Sequence, residues 1–117
     1  MADESVEVAV QCYLHAVNEA GIHAARAILF GSHARGNAGE FSDIDLVIIA
    51  PELDGVPDRR LVERLWELRA WTDARIEPIA CDEREWLTDQ ARPILEIARR
   101  EGIPIDYRVP RGAGSAA

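Results

Sequence analysis

The chain has 117 residues, of which 48% are hydrophobic and 29% are charged, as expected for one globular domain. Its net charge of −8 argues against binding nucleic acid without sequence preference, because such binding needs a basic surface. An acidic chain is compatible instead with divalent cations or a basic protein partner.

No apolar run approaches the roughly 20 residues that span a bilayer, and no signal-peptide pattern is present, so we expect a cytoplasmic protein without membrane contact. Cys12 and Cys81 lack metal-binding spacing, which predicts two packed, reduced thiols and no zinc site.

The first half of the chain predicts a helix followed by two strands. Apolar residues three and four positions apart predict an amphipathic helix over 4–20, which Gly21 ends. The apolar stretch 25–30 and the β-branched stretch 43–50 each predict a strand. The connection 31–42 is too short for a parallel crossover with a full helix. We therefore expect antiparallel neighbours joined through a short helical turn.

The second half predicts helices alternating with extended segments. In chain order these are a loop over 51–58, a helix over 59–71 capped by Asp58, a strand over 74–80, a helical turn over 83–87, a helix from Pro93 to before Gly102, and a short extended segment over 103–109. Pro78 cannot donate a ladder hydrogen bond, so its strand should lie at a sheet edge or contain a bulge. We expect one domain over 1–108 and a disordered tail over 109–117.

Two acidic residues, Asp43 and Asp45, stand where the second strand enters the core. Alternate strand residues share a face, so these like charges should lie close together and raise each other's pKa. A divalent cation would relieve this repulsion, and magnesium prefers such oxygen ligands. Taken alone, the pair is also compatible with a turn cap and a solvated strand-edge charge.

The Gly31–Ser32 pair directly follows the first strand. Glycine lets the backbone approach a ligand closely, and the serine hydroxyl can donate to a phosphate. Alone, the pair is typical of an ordinary strand-to-helix turn. Ten residues separate it from Asp43, and the combination indicates a site for a nucleotide triphosphate with metal ions.

The stretch "GSHARGNAGEFSDIDL" resembles the G-S-x10-D-x-D signature of the DNA polymerase beta-like nucleotidyltransferase superfamily. It looks most like the minimal nucleotidyltransferases of the MNT type, many of which are antitoxins paired with a HEPN-domain toxin. The ending "REGIPIDY" is similar to that of the family. The resemblance implies an α/β (α+β) nucleotidyltransferase fold with a small three-stranded mixed sheet covered by helices.

The resemblance also implies site roles. Gly31 and Ser32 would hold the triphosphate, and Asp43 and Asp45 would bind two magnesium ions. Glu77 stands on the third strand, where many relatives carry an aspartate as the third carboxylate and metal ligand.

Other residues have less definite assignments. Arg35 could reach a phosphate or be a solvated side chain. The tryptophans fall on helical spacings that are more typical of core residues than of a base-stacking platform, and these are Trp66, Trp71 and Trp86.

The implied activity is magnesium-dependent transfer of AMP from ATP to a hydroxyl, expected to be a tyrosine, of a basic, RNA-cleaving toxin. The chain would then be the antitoxin of a type VII-like pair with no direct nucleic-acid contact. A chain of this length has little room beyond a catalytic core, so we expect the acceptor to bring its own docking surface.

Two alternatives stay open. One is an antitoxin that only covers its partner and retains the site for nucleotide or metal, and the other is a small-molecule nucleotidyltransferase subunit.

Overall fold

A four-stranded mixed sheet forms the centre of the fold. The computed structural model describes residues 3–54 and 58–110. The elements are, in chain order, α1 (Glu4–Glu19), β1 (Arg26–Phe30), α2 (Ser32–Arg35), β2 (Ile44–Ile49), a 3-10 turn (Pro51–Leu53), α3 (Arg59–Arg69), β3 (Ile76–Cys81), α4 (Glu83–Thr88), α5 (Pro93–Glu101) and β4 (Ile103–Asp106). The strand order is β3-β2-β1-β4. Strand β1 is antiparallel to both neighbours, whereas β2 and β3 are parallel.

The predicted elements are present, and the antiparallel pairing of β1 with β2 through a short helix is confirmed. The predicted three-stranded sheet is wrong by one strand, because the segment expected to be merely extended pairs with β1 as β4. The predicted edge position of the proline-containing strand β3 is confirmed. Residues 55–57 of the predicted loop and 111–117 of the predicted tail lie outside the described residues, while Val109 and Pro110 have no regular secondary structure.

Helices cover both faces of the sheet. On one face α1 and α3 pack on alternate strand residues, and the buried side chains of this cluster include Val10, Leu14, Leu29, Leu46 and Leu65. On the other face α5 packs against the remaining strand residues, with Leu95 and Ala98 contacting the cluster of Ile28, Phe30 and Val47. Strand alternation explains why each strand contributes to both clusters.

Some predicted core residues are exposed. Cys81 is buried, but Cys12 is exposed, so the prediction of two packed thiols is wrong for Cys12. Trp71 is almost fully exposed because it follows the end of α3, and Trp66 is partly exposed under the guanidinium of Arg69. In the described part of the chain, no helix is long and apolar enough to cross a membrane.

Candidate active site

The strand register brings the end of β1 beside the start of β2 and β3. Phe30 pairs with Asp45, and Asp45 pairs with Glu77 on the parallel neighbour. Asp43 directly precedes β2. Because directly paired residues point to the same side of a sheet, Asp45 and Glu77 project from the face that α5 covers. The Gly31–Ser32 pair, the two aspartates and Glu77 therefore converge at one end of the sheet.

The carboxyl groups at this end influence one another. Burial raises the pKa of Asp45, and the neighbouring Asp43 charge adds to the effect. Burial also raises the pKa of Glu77, as do the charge of Asp43 and the hydrogen bond that a protonated Glu77 can donate to it. A cluster of carboxylates that resists full ionisation attracts protons or cations. The predicted proximity of the acidic side chains is therefore present in the structure.

Gly31 packs directly against one of these carboxylates. Its backbone has φ 78° and ψ −155°, a conformation that is essentially restricted to glycine. A Cβ atom at this position would lie 2.2 Å from Asp45 Oδ2. The glycine therefore allows close approach, as predicted, but the approaching group in the structure is Asp45.

The turn that follows Gly31 is the short helix α2. Within the described residues, the hydroxyl of Ser32 makes no hydrogen bond with another side chain or the backbone. Arg35 donates from Nη1 to both carboxylate oxygens of Glu101, at 3.0 Å and 3.3 Å. The Gly31 backbone N–H also donates to Glu101, at 3.0 Å. Arg35 is thus half exposed and already paired.

Sequence reasoning did not identify Glu101 as a site residue. It is the last residue of α5 and lies 70 positions from Gly31. The only signal in the sequence was its place in the family-like ending "REGIPIDY", which by itself assigns no contact. Its partners become visible only once α5 is packed on the sheet.

An open cleft of about 390 Å³ passes over these groups. Its lining combines the β1–α2 turn, the start of β2 and one side of α5, through Gly31, Ser32, Arg35, Asp43, Asp45, Ile94, Ile97 and Glu101. A larger groove of about 750 Å³ runs between α1 and β4, and none of the predicted site residues lines it. The smaller cleft is therefore the candidate active site.

The donor set of this cleft suits a magnesium ion that arrives with phosphate. In residues 3–54 and 58–110, no three His, Cys, Asp or Glu side chains are arranged so that they could hold a metal ion by themselves. Magnesium is usually held by one or two carboxylates, and substrate phosphates and water complete its octahedral shell. The half-buried Asp45 and the exposed Asp43 line the cleft and match that requirement, and the partly buried Glu77 lies beside Asp45 on the neighbouring strand.

Comparison with known proteins agrees with this geometry. The model of the family described as "Nucleotidyltransferase domain" matches residues 14–107, which include the whole cleft. The chain belongs to the nucleotidyltransferase domain family. This membership makes the chain a nucleotidyltransferase in its fold and family, and the resemblance seen in the sequence is confirmed at that level.

Individual relatives extend the comparison. A stretch of 34 residues is 59% identical to "Putative protein adenylyltransferase MJ1305" of Methanocaldococcus jannaschii, and it covers 29% of this chain and 21% of that protein. The match therefore spans about a fifth of the length of that relative.

Two solved structures share the fold. The crystal structure of a "putative nucleotidyltransferase" from Sulfolobus solfataricus has a TM-score of 0.58 at 15% identity, covering 86% of this chain and 78% of that one. A chain from a toxin-antitoxin crystal structure with AMP-PNP also has a TM-score of 0.58, at 19% identity, covering 87% of this chain and 73% of that one. At these identities the likeness establishes the nucleotidyltransferase fold.

Proposed function

We propose that this nucleotidyltransferase transfers AMP from ATP to a tyrosine hydroxyl of a partner toxin and thereby acts as its antitoxin. The observation that carries the proposal is the convergence of Asp43, Asp45 and Glu77 beside Gly31 and Ser32. Membership of the nucleotidyltransferase family supports the reaction class.

The residues of the cleft have complementary tasks in this proposal. Gly31 and Ser32 hold the triphosphate, and Arg35 contributes positive charge beside it. Asp43 and Asp45 would hold two magnesium ions, and Glu77 stands beside Asp45 on the neighbouring strand as the base for the acceptor hydroxyl. When bound, magnesium neutralises charge on the triphosphate and on the leaving pyrophosphate.

The reaction is an in-line displacement at the α-phosphorus. The acceptor oxygen forms a bond to that phosphorus, the bond to the oxygen bridging the α- and β-phosphates breaks, and pyrophosphate leaves. The hydroxyl proton passes to Glu77, since a carboxylate with a raised pKa is a stronger base. Much of the remaining rate enhancement comes from holding the acceptor and the nucleotide in the reactive geometry, and a rigid sheet end can provide this.

A protein acceptor is supported by two comparisons. The 34-residue match is to a protein named as a protein adenylyltransferase, and one chain with the same fold comes from a toxin-antitoxin complex. The acidic net charge of −8 suits a basic partner, such as an RNA-cleaving protein. We propose a HEPN-domain toxin as that partner, on the family resemblance of the motif.

The test is transfer of label from α-labelled ATP, with magnesium, to the purified protein encoded beside this chain, with intact mass measured in parallel. We expect a mass increase of one or more AMP groups on the partner. The Asp43→Asn, Asp45→Asn double variant should abolish it. Glu77→Gln should reduce the rate about 100-fold or more if Glu77 accepts the proton.

Two results would contradict the proposal. Tight binding of the partner without any label would indicate neutralisation by complex formation. Full protection of cells by the double Asp variant would show that catalysis is not required for neutralisation.

A further inference from the structure

We propose that Glu101 is a positioning residue that fixes the phosphate-binding turn from the far end of the chain. This inference rests on the proposed function, because it concerns how the same cleft receives the nucleotide. It gives a role to the charged residue at the end of α5, a helix whose other cleft-lining residues, Ile94 and Ile97, are apolar.

The contacts of Glu101 converge on one turn. Its Oε1 accepts a hydrogen bond from the Gly31 N–H and another from Arg35 Nη1, each at 3.0 Å. Its Oε2 accepts a further bond from Arg35 at 3.3 Å. The Glu101 side chain is largely buried, whereas the Arg35 side chain is half exposed. One carboxylate therefore binds both ends of the Gly31–Arg35 turn.

The topology accounts for this contact. Ile103 of β4 pairs with Leu29 of β1 in antiparallel register, and continuing that register two residues further sets Glu101 opposite Gly31. Gly102 makes the approach possible, because a Cβ there would lie 2.4 Å from Ile28 Cγ2 and 2.2 Å from the Ala98 carbonyl oxygen. The end of α5 is thus pressed against the sheet beside the cleft.

The consequence is a turn that is held on two sides. Glu101 holds the Gly31 N–H, while Asp45 packs against the Gly31 Cα, at the position a side chain would need. The Ser32 hydroxyl, which has no hydrogen-bond partner in the described part of the chain, stays available to a phosphate. Without Glu101, the Gly31 N–H would lose its acceptor and only the Gly31 carbonyl oxygen would stay bonded within the turn, so the separation of donors and carboxylates would be less fixed.

Three variants measured with MgATP test this role. Glu101→Ala removes both contacts, Glu101→Gln keeps an oxygen that can accept from Gly31 but loses the ionic contact with Arg35, and Glu96→Ala serves as the control. Glu96 lies on the same helix, pairs with Arg99 and does not line the cleft. The measurements are the Kd for MgATP, from displacement of a fluorescent ATP analogue, and the KM and kcat of AMP transfer, with thermal unfolding to verify folding.

We expect Glu101→Ala to raise the Kd and KM for MgATP by roughly tenfold or more, with kcat changed much less. Glu101→Gln should restore part of the affinity, and Glu96→Ala should match the unmodified chain. If Glu101→Ala does not fold, the graded effect of Glu101→Gln decides.

Unchanged or tighter MgATP binding in a folded Glu101 variant would overturn the inference, and tighter binding would show that Glu101 competes with phosphate. An unmodified chain that neither binds MgATP nor transfers AMP would instead remove the proposed function, and this inference with it.

Discussion

At the scale of single residues, the site depends on a glycine for two separate reasons. Gly31 adopts a backbone conformation that other residues rarely adopt, and Asp45 Oδ2 occupies the place of a side chain. Gly36 also has a positive φ, of 79°, but no atom lies within 4 Å of a Cβ added there. Substitutions at Gly36 therefore test the effect of the left-handed backbone alone, whereas substitutions at Gly31 also test the contact with Asp45.

We predict that Gly31→Ala lowers the free energy of unfolding by about 3 kcal/mol or more and AMP transfer by about 100-fold. Gly36→Ala should cost about 1 kcal/mol, from the left-handed backbone alone, and leave transfer within a few-fold. Urea unfolding and steady-state transfer assays measure both. Equal losses in the two variants would show that contact with Asp45 is not what requires glycine at position 31.

The sequence predicted contacts between residues that are close along the chain, and it did not predict contacts between residues that are far apart. Gly31, Ser32, Asp43 and Asp45 form a motif within 15 residues, so alternation and turn chemistry were enough to bring them together. Glu77 followed from the family resemblance, which implies a third carboxylate on the third strand. Glu101 could not be predicted, because its contact depends on the packing of α5 and the register of β4.

At the scale of elements, distance along the chain also explains why the sequence did not predict β4 as a strand. Strand β4 has only four residues and contains Pro104, so its composition gives a weak strand signal. Its pairing depends on β1, to which it adds a second antiparallel neighbour. Local patterns were sufficient for the longer elements, whose apolar spacing is regular.

The two sheet edges are protected by comparable devices. On β3, Pro78 lacks an N–H, and Arg92 Nη1 donates to the Ala80 carbonyl oxygen at 3.1 Å. On β4, the Gln11 side chain donates to the Asp106 carbonyl oxygen and accepts from the Arg108 N–H. Such capping disfavours edge-to-edge association. A partner protein is thus more easily bound through side chains than by strand addition.

One buried hydrogen bond joins the helices of the first face. Tyr13 of α1 donates to the Leu65 carbonyl oxygen of α3 at 2.6 Å, and burial raises the pKa of this phenol. The hydroxyl therefore acts as a permanent donor at neutral pH. It fixes α3 over the strands that carry Asp45 and Glu77.

Tyr13→Phe should lower the free energy of unfolding by about 1–2 kcal/mol, because it leaves the ring in place and removes one buried hydrogen bond. Tyr107→Phe is the matched control, since its hydroxyl bonds His15 in a more exposed position. We expect the control to cost less than about 0.5 kcal/mol. Urea unfolding with unchanged m-values measures both, and similar losses would contradict a special role of the α1–α3 contact.

At the scale of the whole molecule, the two sides of the cleft differ. The donors proposed for the triphosphate lie on α2 beside α5, whereas Glu77 lies on the edge strand β3. An acceptor hydroxyl that passes its proton to Glu77 must therefore approach from the β3 side. Two aromatic side chains stand on the loops leading to that side, Phe41 at 86% exposure and Trp71 at 84%.

These loops are joined to each other. Arg75 donates from Nη1 to the Glu40 carbonyl oxygen at 3.2 Å, and its own carbonyl oxygen accepts from the Ile44 N–H at 2.8 Å. Exposed aromatic residues are typical anchors for a protein partner. If the proposed function holds, Phe41 and Trp71 are the candidate anchors for the acceptor on this side.

We predict that the Phe41→Ser, Trp71→Ser double variant raises the KM for the protein acceptor about tenfold or more, because the anchoring contacts are lost. Binding of MgATP should not change, since neither residue lines the nucleotide cleft. Leu87→Ser is the matched control, because Leu87 is 69% exposed on α4, which follows the opposite end of β3. Transfer assays with the partner protein, and displacement of a fluorescent ATP analogue, separate the two effects. An unchanged acceptor KM in the double variant, or an equal rise with Leu87→Ser, would show that the acceptor approaches by another surface.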